Sequence, residues 1–425
     1  LARTGRRESK DLPPARTLTV RIDTIGGGGD GVARVEGKPL YVPLTAPGDL
    51  VTVDARGERG TVAEIVEKSP LRAEPSCRHF GVCGGCAFQH LARGAEAEWK
   101  TAQIATALAR AGVDAQRVNP LIAFSPASRR RAVFAARRQK GTVKFGFNER
   151  RSDRVVSIEE CPVLAPSFAT RLPALRALAA TIPADSFDLA VTACDNGLDV
   201  NIAAPGLDAF TVKDAQAMRA AGVVRLSLNG GLVMATAETV VSFDGVPISP
   251  PPGAFLQASR EGEAALIGLV KAAAAKARKI ADLFSGVGTF ALPLAKTASV
   301  SAFDSDRTAI EALKRAAAAA QASATPIKPL RAEARDLFER PLTAKELKTF
   351  DAAVFDPPRA GAEAQATALA ESAVPLVIGV SCNPQTFARD AGVLAAGGYR
   401  LLEVTPVDQF AYSPHIELVG VFAKE

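Results

Sequence analysis

The rhythm of hydrophobic and polar positions changes three times along the chain. From Leu18 to about Ser69, short alternating runs (L-T-V-R-I-D-T-I, G-V-A-R-V, P-L-Y-V-P, D-L-V-T-V-D-A, G-T-V-A-E-I-V) are separated by glycine-bearing turns. Five such strands in about fifty residues predict a small closed barrel of the oligonucleotide-binding type. Gly94 to Ala111 then has helical spacing with Trp99 on one face and Gly112 as its stop. Arg131 to Phe147 reads as two strands joined near Gly141, Leu172 to Ala180 as a helix, and Phe187–Ala193, Leu198–Ala203 and Val223–Leu228 as strands. After Pro250 the pattern becomes a strict alternation. A helix over Glu261–Ala277 is followed by strands at Lys279–Phe284, Ala298–Asp304, Asp351–Asp356 and Val374–Val380, with a helix opened by S-G-V-G-T-F and another over Thr308–Ser323. Leu401–Val407 and Ile416–Phe422 read as a closing antiparallel pair. This is the pattern of a doubly wound α/β domain.

Four segments follow from these changes: a flexible basic arm over 1–16, the barrel over 17–69, a central α+β domain over 70–250, and the α/β domain over 251–425, on which the helix at 94–111 can pack. No apolar run reaches the roughly 20 residues that span a bilayer, and the first ten residues lack the apolar core of a signal peptide, so a cytoplasmic protein without a membrane partner is expected. The first residue is leucine, so the initiator, or more, can be missing.

The net charge of +6 is unevenly spread, because the stretch from Arg129 to Arg154 alone carries +8 and the remainder is slightly acidic. Arg129, Arg130, Arg131, Arg137, Arg138, Lys140 and Lys144 are interleaved with Phe134, Phe145 and Phe147. Cations beside aromatic rings suit a nucleic-acid backbone with stacked bases. A solvated hairpin is the competing explanation.

Cysteine spacing adds a second candidate chemistry. Cys77, Cys83 and Cys86 fall within C-R-H-F-G-V-C-G-G-C, and Cys161 follows in C-P-V-L. Such a set in a chain of 425 residues suits a metal centre better than disulfides. Three ligands from one loop and a fourth from far away favour a 4Fe-4S cluster over zinc, whose ribbons use two close pairs. Cys194 lies in a turn without a nearby partner and reads as structural. Cys382 is different, since V-I-G-V-S-C-N-P places it at the carboxyl end of a strand, where doubly wound folds open their ligand crevice.

The turn D-L-F-S-G-V-G-T-F lacks both the third glycine of a dinucleotide fingerprint and the lysine of a phosphate-binding loop. Gly286 and Gly288 let a ligand approach the backbone, and Asp304, at the end of the next strand, is placed for a ribose hydroxyl pair. An adenosine ligand without pyrophosphate is indicated, and S-adenosylmethionine fits best.

D-L-F-S-G-V-G-T-F, F-D-P-P-R-A-G, V-S-C-N-P and S-P-H-I-E, preceded by the cysteine loop, together resemble the bacterial RNA 5-methyluridine methyltransferase family. Within it, the iron-sulfur enzymes that modify a uridine of 23S ribosomal RNA are the most similar branch. The resemblance implies a Rossmann-like S-adenosylmethionine-dependent domain, an amino-terminal TRAM barrel and an iron-sulfur domain holding Cys77, Cys83, Cys86 and Cys161. It further implies Cys382 as nucleophile toward carbon 6 of uracil, Glu417 as general base, and a cofactor set of Gln257, Phe284, Thr289, Asp304, Asp336 and Asp356 around Gly286 and Gly288. Ser285, Thr289 and the A-S after Gln257 depart from the 23S branch and leave a transfer RNA or another ribosomal site open. RNA is the expected partner, and a monomer is expected. The competing functions are a tRNA 5-methyluridine methyltransferase, an RNA cytosine-5 methyltransferase and a non-catalytic RNA-binding assembly factor.

Overall fold

The computed structural model describes residues 14–209 and 215–424, so residues 1–13 of the expected arm lie outside the described part, and Arg16 already opens a strand. The described residues form two compact units. One runs to Trp99 and includes Tyr412–Pro414; the other runs from Lys100 to Ala411 and resumes at His415. The division falls inside a helix, not at the compositional boundaries near 69 and 250.

The first unit contains β1 (Arg16–Arg21), β2 (Thr24–Ile25), β3 (Gly31–Val35), β4 (Lys38–Val42), β5 (Leu50–Arg56) and β6 (Arg59–Glu67). Alternation puts Leu40, Val42, Val51, Val53 and Ala55 into one core with Ile22 and Ala33. The sheet order is β1-β5-β6-β4-β3-β2, antiparallel except for the β4–β6 pair. The run Leu18–Ile25 is two strands and not one. The Ile22 N–H donates to Asp49 O (2.9 Å) and the Asp23 N–H to Val32 O (2.8 Å), which switches the chain from one neighbour to another. A smaller cluster of Ile25, Ala46, Phe88 and Leu91, with Trp99 against it, follows the cysteine loop.

Helix α1 (Arg93–Arg110) contains the division between units. Its later residues Ile104, Ala107 and Leu108 join the core of the second unit. There, β7 (Arg117–Val118) and β8 (Ile122–Ala123) precede a seven-stranded sheet of order β11-β10-β9-β12-β13-β14-β15. Its strands are β9 (Arg131–Gln139), β10 (Thr142–Asn148), β11 (Val155–Ser157), β12 (Ser186–Cys194), β13 (Gly197–Ala203), β14 (Val223–Leu228) and β15 (Gly231–Ala235). Helices α2 (Pro166–Ala169), α3 (Leu172–Thr181) and α4 (Ala215–Ala220) accompany it, and a hairpin of β16 (Val241–Phe243) and β17 (Val246–Ile248) leads on.

The last sheet has the order β20-β19-β18-β21-β22-β24-β23-β7, with β8 also on β23. It is built from β18 (Lys279–Leu283), β19 (Ser299–Asp304), β20 (Leu330–Ala334), β21 (Ala352–Phe355), β22 (Leu376–Ser381), β23 (Tyr399–Asp408) and β24 (Glu417–Lys424). The strands β18 to β22 are parallel; β24 is antiparallel to both neighbours. Apolar residues fill these strands because helices cover both faces, among them α5 (Arg260–Ala273), α7 (Arg307–Gln321), α9 (Glu363–Ala370) and α10 (Pro384–Ala396). The helix after the glycine turn, α6 (Ala291–Leu294), is kept to one turn and contains Pro293. A further short helix, α8 (Ala344–Leu347), opens on a capping box from Thr343 and Glu346. The strand order reverses between β18 and β21, and the crevice of such sheets lies at their carboxyl ends there. Among the described residues no helix is long and apolar enough to cross a membrane.

Candidate active site

Strand register assembles the reactive groups. Ser381 pairs with Leu418, so Cys382 and Glu417, 35 positions apart, leave the β22–β24 pair side by side. On the other flank of β22, Phe355 is opposite Gly379, which puts Asp356 at the same end of the sheet. Cys382 is half-buried and immediately precedes Asn383, whose side chain caps α10 by accepting from the Gln385 N–H (3.1 Å). The loop after Asp356 is tied to that cap, because Arg359 O accepts from Asn383 Nδ2 (3.1 Å) and Thr386 Oγ1 (3.3 Å).

A chain of amides runs beneath these groups. The Ser259 N–H donates to Gln409 Oε1 (3.3 Å), Gln409 Nε2 to Gln257 Oε1 (2.7 Å), and Gln257 Nε2 to Asp356 Oδ2 (3.2 Å). Gln257, Gln409 and Glu417 are all at most 3 % exposed. Burial pushes the Glu417 carboxyl well above its usual range, and Asp356 adds to that, while Gln409 and Arg359 oppose it. Burial also lifts Asp356 to about 7. Cys382 is pushed up to about 11 by burial and by the Glu417 and Asp356 carboxyls, against the pull of Arg359. The resting site therefore holds a thiol, not a thiolate. His415 is lowered to about 4 by burial and the cations Arg359, Arg129 and Lys100, so its ring is neutral at pH 7 and accepts from Arg359.

The glycine turn lies at the end of β18. Gly286 N–H donates to Asp304 Oδ2 (2.8 Å), and Asp306 N–H to Asp304 Oδ1 (2.8 Å), so the acid expected to meet a ribose also fastens the turn. A Cβ at Gly288 (φ +92°) would lie 2.5 Å from Leu313, whereas one at Gly286 would meet nothing within 4 Å. The buried Ser285 hydroxyl has no hydrogen-bond partner among the described residues. Phe284, half-buried, has its ring centroid 5.4 Å from that of exposed Phe338. Open backbone, an unmet hydroxyl, an aromatic pair and a carboxylate fit an adenosine ligand. Thr289 is half-buried in the same turn. Asp336 accepts from the Phe338 N–H (2.9 Å), which caps the turn that presents Phe338.

The basic stretch is only partly a surface. Arg130 is 1 % exposed, ion-paired with buried Glu263 and bonded to Gln257 O (3.1 Å). Phe134 is wholly buried against Phe145, Phe147 and Phe168. Both are corrections to the expected RNA-contact set. A β9 strand paired on both sides turns alternate side chains into the core, and Arg130 clamps the Gln257 segment instead. Arg137 and Arg138 are half-buried and bonded to Phe187 O (2.9 Å) and Ile182 O (2.8 Å). Lys140 and Lys144 are exposed. Arg129 stands over the Phe410 ring (5.7 Å) and Arg131 over Phe255 (5.0 Å), which is exposed.

Cys77, Cys83 and Cys86 occupy successive turns of the first unit, while Cys161 belongs to the second. The Cys77 N–H donates to buried Gln89 (3.1 Å), and Cys83 Sγ accepts from the Gly85 N–H (3.5 Å). Among the described residues no group of three or more histidine, cysteine, aspartate or glutamate side chains is gathered to hold a metal ion.

Gln409, Arg359 and Phe338 join the site without having been expected there. Arg359 stands in the D-P-P-R motif; Gln409 and Phe338 carry no local signal in the sequence.

The parallel sheet interrupted by antiparallel β24, the glycine turn and the acid at the end of the second strand define an S-adenosylmethionine-dependent methyltransferase fold. Residues 252–425 match the family model described as tRNA (Uracil-5-)-methyltransferase. The chain is 45 % identical to an RNA methyltransferase of Rhizobium meliloti, over 96 % of this chain and all of that one. It is 32 % identical to a 23S rRNA (uracil(1939)-C(5))-methyltransferase of Halomonas elongata, over 93 % and 87 % of the two chains. The crystal structure of the tRNA (uracil-54, C5)-methyltransferase of Pyrococcus abyssi with S-adenosyl-L-homocysteine superposes with a TM-score of 0.74 at 25 % identity, covering 96 % of this chain and 100 % of that one. The chain belongs to the RNA (uracil-5-)-methyltransferase family.

Proposed function

We propose that the protein methylates carbon 5 of a uridine in RNA, with 23S ribosomal RNA as substrate, through a covalent bond between Cys382 and carbon 6. The observation that carries this is the register that sets Cys382 and Glu417 together beside Asp356. Carbon 5 of uracil is a weak nucleophile until a thiolate adds to carbon 6 and pushes the electron pair toward O4. The Gly286–Thr289 turn, Phe284 and Asp304 would hold S-adenosylmethionine, whose sulfonium would give its methyl group to carbon 5 and leave as S-adenosylhomocysteine. Glu417 then takes the carbon 5 proton, the carbon 5–carbon 6 double bond re-forms, and the Cys382 sulfur leaves as thiolate. A site that holds Cys382 at about 11 has few thiolates at pH 7, so binding of uracil must favour ionisation there.

Identity with the Halomonas enzyme supports ribosomal RNA; the Pyrococcus structure supports the tRNA alternative. The Greek-key order of the first sheet, with its parallel β4–β6 pair, supports an oligonucleotide-binding TRAM barrel. Exposed Lys140 and Lys144 with Arg129 and Arg131 support an RNA-facing edge. The spacing of Cys77, Cys83, Cys86 and Cys161 supports a 4Fe-4S cluster, with zinc as alternative: anaerobically purified protein is expected to be brown and to contain iron, and stoichiometric zinc in a colourless protein would remove the cluster. Mass-spectrometric mapping of 5-methyluridine in ribosomal and transfer RNA, with and without the gene, tests the substrate. Loss of one 23S site is expected; loss at a tRNA site alone, or no loss, would overturn the assignment.

A further inference from the structure

We infer that Gln409 is a positioning residue: its amide fixes the orientation of Gln257 and holds Glu417 ready as a base. The inference rests on the proposed reaction for its consequence, but its evidence is geometric. Gln409 Oε1 is committed to the Ser259 N–H, so only its NH2 can point into the site. That NH2 donates to Gln257 Oε1, which leaves the Gln257 NH2 facing Asp356. Rotating either amide would set oxygen against oxygen or break two bonds, so the network fixes both assignments.

The network is rigidly housed. Ser259 is fully buried and caps α5 by accepting from the Gly262 N–H (3.0 Å). A Cβ at Gly262 would lie 2.7 Å from the Gln409 Cβ, so this glycine permits the close approach. On the other side Asp408 receives Lys100 Nζ (2.7 Å), which also donates to Phe410 O (3.0 Å), and both members of that ion pair are buried. The residues either side of Gln409 are thus pinned.

Strand β23 pairs Val407 with Glu417, so Gln409, two residues on, leaves the sheet beside the carboxyl, and its amide favours the charged form. The other groups facing Glu417 are Asp356 and Cys382 at the ends of β21 and β22, Arg359 in the loop beyond, and His415 just before β24. Asp356 opposes ionisation and His415 is neutral, so the amide and Arg359 are the groups that favour the Glu417 carboxylate against burial.

Two variants test this, Gln409→Met, which keeps length without donors, and Gly262→Ala, which displaces Gln409 without removing it. In the free protein, the carboxyl infrared band lost in Glu417→Gln identifies Glu417, and its titration midpoint is expected to move to higher pH in Gln409→Met. During turnover at pH 7, a roughly 10- to 100-fold loss is expected with accumulation of the enzyme–RNA adduct, shrinking as pH rises, with Gly262→Ala changing in the same direction. An unmoved midpoint, or an equal loss at every pH, would overturn the inference. Should the wild-type protein leave RNA unmethylated, the proposed reaction fails, while the midpoint in the free protein still decides the role of Gln409.

Discussion

Two regions of the molecule present cysteines, and they are built in opposite ways. Cys382 is placed by the backbone: it leaves a central strand, precedes a helix cap, and faces Glu417 through a fixed register. Cys77, Cys83 and Cys86 are placed by turns with no strand or helix of their own. A sheet can hold reactive groups in position before any ligand arrives, because ladder hydrogen bonds and a packed core have already ordered the chain. A loop has no such support, and its geometry is set by whatever it binds. The first region is held in place by a sheet and a helix cap; the second takes its local geometry from turns alone.

The largest effect that would break this contrast comes from the nucleophile. Cys382→Ala is expected to lower methyl transfer by at least about 10⁴-fold while S-adenosylmethionine affinity, measured by calorimetry, stays unchanged. Retained activity would remove the sheet-end thiol as nucleophile. Next is Arg130→Met, which strands Glu263 in the interior; a destabilisation of about 3–5 kcal/mol in urea unfolding is expected. A stability within about 0.5 kcal/mol of wild type would return Arg130 to the surface role first expected of it.

The expectation for Arg130 failed for a physical reason. Charge density along a sequence does not show which side chains turn inward, and Arg130, one residue before β9, turns in to buried Glu263. Conversely, the α/β alternation, the positions of β18, β21 and β22, and Cys382 at a strand's end were legible, because buried parallel strands are continuous apolar runs bounded by turn formers. Glu417 became legible only through the family resemblance, since one carboxylate opening a strand has no periodicity to mark it. Gln409 and Phe338 were hidden because their significance lies in contacts with residues 152 and 54 positions away.

Smaller effects sharpen the comparison. Lys140→Ala and Lys144→Ala should leave the melting temperature unchanged and each lower the slope of log affinity for RNA against log salt by about 1; an unchanged slope would make that edge a solvated surface. Cys83→Ser should abolish iron content but leave S-adenosylmethionine affinity intact, and a matching loss of affinity would mean that the two regions are not separately built. In the free protein, iodoacetamide labelling of Cys382 should rise about tenfold per pH unit toward a midpoint near 11, because the group is neutral below its raised pKa and charged above it. A plateau near pH 8 would show that burial and the Glu417 and Asp356 carboxyls do not suppress the thiolate.

The most direct test is intact mass spectrometry of Glu417→Gln after incubation with substrate RNA and S-adenosylmethionine. If methylation precedes removal of the carbon 5 proton, the protein should carry RNA covalently at Cys382 with the methyl group already in place. Free, fully methylated RNA and no adduct would contradict Glu417 as the base that releases Cys382.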